Sequence, residues 1–162
     1  MPWMLRPMQA ADAAAVHALV RELAAFERAA EQVATTPDSL ADAAFPAEGS
    51  PVLHGLVAEN AEGGIDGAAL WSWGHSSWKG RVLLLDDLVV RADCRGRGLG
   101  RRLLAGLAAR AASEGVRELR WQVLDWNEGA RRLYRRVGAT EDGGWVNCRL
   151  HGEAFARLAG GE

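Results

Sequence analysis

Cysteine is scarce in this chain. Cys94 and Cys148 are the only two in 162 residues. They form no CxxC pair and no disulfide framework, so a reducing compartment is expected. His17, His54, His75 and His151 are scattered without metal-ligand spacing, and no metal site is expected. No apolar run approaches the ~20 residues that cross a bilayer. The start, Met1-Pro2-Trp3-Met4-Leu5-Arg6, has neither the charged head nor the apolar stretch of a signal peptide. A cytoplasmic protein without a membrane partner is the expectation. An excess of one charge is missing too: Lys plus Arg total 19 against 21 for Asp plus Glu, a formal charge of -2. That balance argues against a nucleic-acid partner, which calls for a basic surplus.

Two further shortages focus attention on single residues. Lys79 is the only lysine and Tyr134 the only tyrosine. Nearly all the positive charge is therefore arginine, whose planar fork grips phosphate; genomic composition alone would give the same skew. A tyrosine at a core position is most often a packing residue with one satisfied hydroxyl, so position by itself assigns Tyr134 nothing.

What is present reads as one domain over residues 1–162, with no repeat, low-complexity tract or long linker. Trp3 to Arg6 forms a short strand ending at Pro7. Asp12 is placed to cap a helix with Val16, Leu19, Val20, Leu23 and Phe26 on one stripe. Thr36-Pro37 opens a short second helix. Val52 to Glu59 and Gly67 to Trp73 read as a hairpin. After a loop at residues 75–80, Arg81 to Val90 reads as a central strand, apolar on both faces except at Asp86-Asp87. A helix through Leu103, Leu104, Leu107 and Ala111 follows, ending at Gly115. Then come a strand at Leu119 to Leu124, a helix capped by Asn127 and ended by Gly138, and a last strand at Trp145 to Leu150 before an amphipathic tail. Strand, helix, strand, helix, strand implies a mixed sheet with helices on both faces, an α/β fold.

Two segments carry chemistry. In Arg95-Gly96-Arg97-Gly98-Leu99-Gly100-Arg101 the glycines let backbone approach a ligand, at a helix start whose first amides are unpaired and whose dipole is positive. A diphosphate fits there. A plain surface turn and a dinucleotide-binding turn are the rivals. The latter demands GxGxxG directly after a strand, whereas here Arg91 to Arg95 intervene and the spacing is GxGxG. No GxxxxGK[ST] is present, which disfavours an NTPase. The second segment is Asp86-Asp87. Ionised carboxylates inside an apolar strand need a cavity or a cation. Strand alternation predicts that the two point to opposite faces, one of them toward a cleft. Satisfaction by backbone at a strand end is the plainer alternative.

Together these residues resemble a known family. Arg95-x-x-Gly98-x-Gly100 is similar to the acetyl-CoA pyrophosphate motif of GNAT acetyltransferases. Arg21-Glu22-Leu23-Ala24-Ala25-Phe26-Glu27, Glu31-Gln32-Val33, Ser77-Trp78-Lys79-Gly80-Arg81, Leu85-Asp86-Asp87-Leu88 and Val123-Leu124-Asp125-Trp126-Asn127-Glu128 resemble the spermidine/spermine N-acetyltransferase family, closest to its thialysine/diamine branch. The likeness runs from about Arg6 to Leu158-Ala159-Gly160. It implies the GNAT fold, a mixed, mostly antiparallel sheet of six or seven strands flanked by helices. It also implies transfer of acetyl from acetyl-CoA to a primary amine of a small substrate, without a metal, and a homodimer.

By the same resemblance, Tyr134 is the acid that protonates the departing CoA thiolate, and Asp86 stands where the family has a proton-accepting glutamate. Leu88, Val89 and Val90 hold the acetyl and pantetheine portion. Arg95, Gly96, Arg97, Gly98, Leu99, Gly100 and Arg101 hold pyrophosphate, with Asn127 near the pantetheine arm. Phe26, Glu27, Trp78, Asp86, Trp121 and Gln122 contact the amine substrate. Asp86 is one methylene shorter than glutamate, so a water would bridge the gap. Ser76 and Gly143 replace acidic residues of the polyamine enzymes, which points to an amino-acid-like or short diamine substrate such as thialysine. A non-catalytic CoA-binding module and a nicotinamide-dependent oxidoreductase are the alternatives.

Overall fold

Strand-forming stretches rich in β-branched and large apolar residues dominate the middle of the chain, and they set the frame. The computed structural model describes residues 3–160. Five strands lie in one sheet in sequence order: β1 (Met4–Pro7), β2 (His54–Glu59), β3 (Ile65–Ser76), β4 (Gly80–Val90) and β5 (Leu119–Arg120). The first four pair antiparallel and β5 joins β4 in parallel, which makes the sheet mixed and mostly antiparallel. Five helices surround it: α1 (Ala13–Phe26), α2 (Pro37–Ala44), α3 (Leu99–Ser113), α4 (Glu128–Arg136) and α5 (Gly152–Gly160).

The two faces of the sheet have separate cores. On one, α3 lays Leu99, Leu103, Leu104, Leu107 and Ala111 against Ala58, Ala69, Leu83 and Leu85, with Tyr134 of α4 in the same cluster. On the other, Val16 and Leu19 of α1 and Leu40 of α2 cover Val57, Ala68, Leu70 and Val89. Leu83, Leu103 and Leu107 are fully buried. Burial of such side chains contributes about 1.5–3 kcal/mol each.

Several expectations need correction. The described residues give five strands instead of six or seven. Trp145 to Leu150 pairs with no strand: Trp145 is 76% exposed and Val146 85% exposed. Alternation fits such a segment for a sheet edge, but it forms no ladder with β5, the last strand in the sheet order. Of Leu119 to Leu124 only Leu119 and Arg120 pair. Residues 75–80 form a tight turn because β3 and β4 stay paired as far as Ser76 and Gly80. Asp12 stands at the start of α1 without capping it, since its carboxylate takes the Gln9 N–H at 2.7 Å and the Arg6 fork at 2.6 and 2.9 Å. Thr36 does cap α2: the Ser39 N–H donates to its Oγ1 at 3.1 Å, with Pro37 in the first helical position.

Candidate active site

β4 carries the acidic pair, and its pairing with β3 decides where the pair points. Leu70 lies opposite Asp87 and Trp71 opposite Leu85, so Asp86 is an extra residue in a β-bulge. The bulge cancels the expected alternation. Asp86 and Asp87 line the same cavity, about 380 Å3 in volume, between α1, α2 and the sheet, with Val20, Leu40, Leu70 and Ser72 among its walls. The expectation that they occupy opposite faces is overturned by this one-residue insertion.

Their surroundings differ. Asp86 is exposed and Asp87 half-buried. Burial pushes the Asp87 carboxyl up to about 6, reinforced by the charges of Asp86 and Glu27. Burial also raises Glu27, which leaves α1 as its C-cap. Tyr134 is raised by burial and then by the charge of Glu27. Glu27, Asp87 and Tyr134 therefore share one electrostatic neighbourhood, assembled from α1, β4 and α4. Trp121 meets the Tyr134 ring edge-on, with centroids 5.1 Å apart and planes at 64°. Among the described residues no protein group bonds the Tyr134 hydroxyl, yet the one sealed unpaired side-chain atom is Trp71 Nε1. The phenol thus opens to solvent.

Next to the acids the sheet splits. β4 and β5 pair at Leu83–Leu119 and Leu84–Arg120 and nowhere further along. Leu83 donates to Glu118 O at 3.1 Å, so its backbone faces β5. Past the bulge, the ladder with β3 leaves the backbone groups of Leu88 and the N–H of Val90 facing that same, now open, side, while Val90 O is taken by Arg95. Val89 faces β3 instead and buries its side chain. Unpaired strand edges of this kind accept an extended ligand by backbone hydrogen bonds.

The glycine turn closes the other end. Gly96 (φ 74) and Gly98 (φ 83) are left-handed, and Gly98 begins α3 without a side-chain cap. The first helical bond runs from Arg102 N–H to Gly98 O at 3.1 Å, leaving the N–H groups of Leu99, Gly100 and Arg101 free. Arg97 and Arg101 are exposed and make no ion pair among the described residues. Free amides, a positive helix end and two unpaired cations suit a diphosphate.

Arg95 is placed differently from its neighbours. Its guanidinium donates to Val90 O at 2.9 Å and to Glu22 at 3.0 Å, and it lies 5.2 Å from the Phe26 ring centroid. Glu22 also accepts the Ala92 N–H at 2.9 Å. Arg95 thus ties the glycine turn to α1, and Arg97 and Arg101 are the arginines of the turn left unpaired among the described residues. Asn127 Oδ1 caps α4 by accepting the Ala130 N–H at 3.2 Å, and its amide N–H groups remain available. Gln122 is exposed and bonded to Asn147. Trp78 is 86% exposed in the β3–β4 turn, at the opposite end of β4 from its C-terminal half, with Gly80 to Asp86 spanning roughly 20 Å of strand. Cys94 is buried, and burial pushes its thiol up, which removes it as a nucleophile.

Sequence reasoning missed Glu22, Arg28, Trp126 and the exposed Phe26–Trp126 pair, whose ring centroids are 5.6 Å apart. The Trp126-Asn127-Glu128 segment was the available signal. Among the described residues no group of acidic, histidine or cysteine side chains is arranged for a metal ion, and no helix is long and apolar enough to cross a membrane.

The dinucleotide reading does not survive this topology, because the glycine turn follows a strand flanked by an antiparallel neighbour instead of opening a parallel doubly wound sheet. Comparison with known proteins agrees. The profile of the Acetyltransferase (GNAT) family matches residues 16–139. Thialysine N-epsilon-acetyltransferase of Bos taurus is 36% identical over 97% of each chain, and that of Caenorhabditis elegans is 33% identical over 87% of each. An integron cassette protein of V. cholerae superposes with a TM-score of 0.77 at 20% identity over 98% of each chain, which shows the shared fold. GNAT acetyltransferases use acetyl-CoA as cosubstrate, and this chain is an acyltransferase that belongs to the GNAT family.

Proposed function

We propose that this enzyme moves acetyl from acetyl-CoA to the primary amine of a small substrate, a thialysine-like amino acid or a short diamine. The observation that carries the reading is the half-buried Asp87, set beside Asp86 and Glu27 at the mouth of the split between β4 and β5. The relatives named for thialysine support the substrate class.

An alkyl amine with a pKa near ~10 arrives as an ammonium ion, which cannot attack a thioester. Glu27 and Asp86 attract the cation. Asp87 then takes its proton, because a carboxyl near 6 is mostly ionised at neutral pH and yet basic enough to accept one. This moves the proton-accepting role from Asp86 to its neighbour. Acetyl-CoA supplies an acyl thioester that a neutral amine attacks directly, forming C–N and breaking C–S. The amides of Leu88 and Val90 face the opening and stabilise charge on the acyl oxygen. Tyr134, kept protonated by burial, delivers a proton to the leaving sulfur, and the resulting tyrosinate takes back the second proton that the acylated nitrogen sheds, while Asp87 returns the first to solvent. Arg97, Arg101 and the free amides of α3 hold the diphosphate.

Tyr134→Phe is expected to lower kcat by about 100-fold or more with little change in acetyl-CoA affinity; unchanged kcat removes the acid role. The test of the activity itself is release of free CoA thiol across an amine panel of thialysine, lysine, diaminopropane and spermidine. Turnover with thialysine or diaminopropane is expected, and silence with every amine rejects the reading. We place the enzyme in the cytoplasm as a homodimer. The exposed Trp145, Val146, Leu150, Phe155 and Leu158 support a second copy covering this segment, and light scattering reads the mass.

A further inference from the structure

Among the described residues Arg28 is the only non-glycine residue with positive φ, at 60°. Left-handed backbone is costly for a side-chain-bearing residue and persists where the surroundings hold it. Here the Arg28 N–H is fixed to Ala25 O at 3.1 Å, just past the end of α1. The result is that consecutive residues diverge. Glu27 is half-buried toward Asp87 and Tyr134, whereas the Arg28 guanidinium lies 5.5 Å from the centroid of the Trp126 ring. No carboxylate or other acceptor engages that guanidinium among the described residues, although nearby Arg95 is paired with Glu22. A spare, oriented cation thus stands at the rim of an acidic site.

The cavity beside Asp86 and Asp87 sharpens the point. Its polar lining consists of those two acids with Thr35, Ser39 and Ser72, and no cation. A substrate whose far end is a carboxylate finds nothing inside to neutralise it. Outside it, next in sequence to Glu27, the exposed Phe26–Trp126 surface, 42% and 45% accessible, carries the unpaired Arg28. Acids for an ammonium, an exposed aromatic surface and an unpaired arginine together match the chemistry of an amino acid with a terminal amine: side-chain ammonium, apolar or thioether chain, α-carboxylate. We propose that Arg28 binds the α-carboxylate of the acceptor and selects amino acids over diamines, an inference that rests on the amine-acetyltransferase reading above.

The test compares thialysine with bis(2-aminoethyl) sulfide, the same molecule without its carboxylate, in the full chain and in Arg28→Gln. Removing a charge-assisted bond to the ground-state substrate raises KM by about 10- to 100-fold. The expected result is that rise for thialysine, a far smaller one for the sulfide diamine, and partial recovery in Arg28→Lys. Arg28→Gly, which relieves the left-handed backbone, is expected to behave as Arg28→Gln and so separates recognition from folding. Equal changes for both substrates, or none, overturn the proposal. Failure of the activity itself is recognised separately, as absence of thiol release from every amine in the unmodified enzyme. In that case calorimetric titration of thialysine into the CoA-loaded protein still reads Arg28: weakening in Arg28→Gln supports the carboxylate bond, and equal or absent binding in both proteins overturns it.

Discussion

Asp87→Asn is expected to cut kcat/KM by about 100- to 10,000-fold, the usual range for losing a positioned base, while making the protein harder to melt at neutral pH. Both effects have one cause. Burial, then the charges of Asp86 and Glu27, lifts the Asp87 carboxyl to about 6 from its ordinary value of 3.8. Between those values the folded protein binds more protons than the unfolded chain, so stability falls as pH rises through that window and stays lowered above it. A shift of roughly two units corresponds to about 2–3 kcal/mol. Asparagine never ionises and escapes that penalty. Its melting temperature is expected to exceed the parent's by about 5 °C or more above pH 7, with the difference vanishing near pH 4. The acid limb of kcat/KM, with a midpoint near 6 in the parent enzyme, is expected to disappear from any residual activity. A variant of unchanged rate, or one destabilised at neutral pH, would take the base role away from Asp87.

The double variant Arg97→Glu/Arg101→Glu is expected to weaken CoA by about 100- to 1,000-fold, read by calorimetry, because each arginine offers a charge-assisted bond to phosphate. The reversed charges also oppose the positive end of α3. The drop in affinity should shrink as salt rises, since both side chains are exposed. Arg95→Gln makes a useful contrast. Its guanidinium binds Glu22 and Val90 O, so its removal loosens α1 against the glycine turn and acts on amine and CoA binding together. Equal CoA affinity in the double variant contradicts the diphosphate assignment.

Residues whose partners lie close in sequence were readable, and those with distant partners were not. Thr36-Pro37 capped its helix as read, because the capping bond spans three residues. Asp12 is the exception: it looked equally like a cap, but Arg6 and Gln9, themselves near in sequence, claimed its carboxylate. The glycine-rich turn before α3 was legible from composition and spacing, yet Arg95 could not be told from Arg97, since Glu22 stands 73 residues away. Alternation predicted opposite faces for Asp86 and Asp87. The bulge that brings them together is a property of the β3–β4 register and leaves no trace in the local pattern. Trp145 to Leu150 has a strand's composition, but a strand exists only if a neighbouring edge accepts it. The five-stranded sheet ends at β5, and this segment does not pair with it. The family segments, especially Trp126-Asn127-Glu128, identified the enzyme class more surely than any single motif did.

The most direct measurement is a crystal structure of the protein with acetyl-CoA. The diphosphate should rest on the free N–H groups of Leu99, Gly100 and Arg101 beside Arg97, and the acetyl thioester should lie in the split between β4 and β5, next to Asp87 and Tyr134. Cofactor bound elsewhere, or no binding at saturating concentration, would contradict the account.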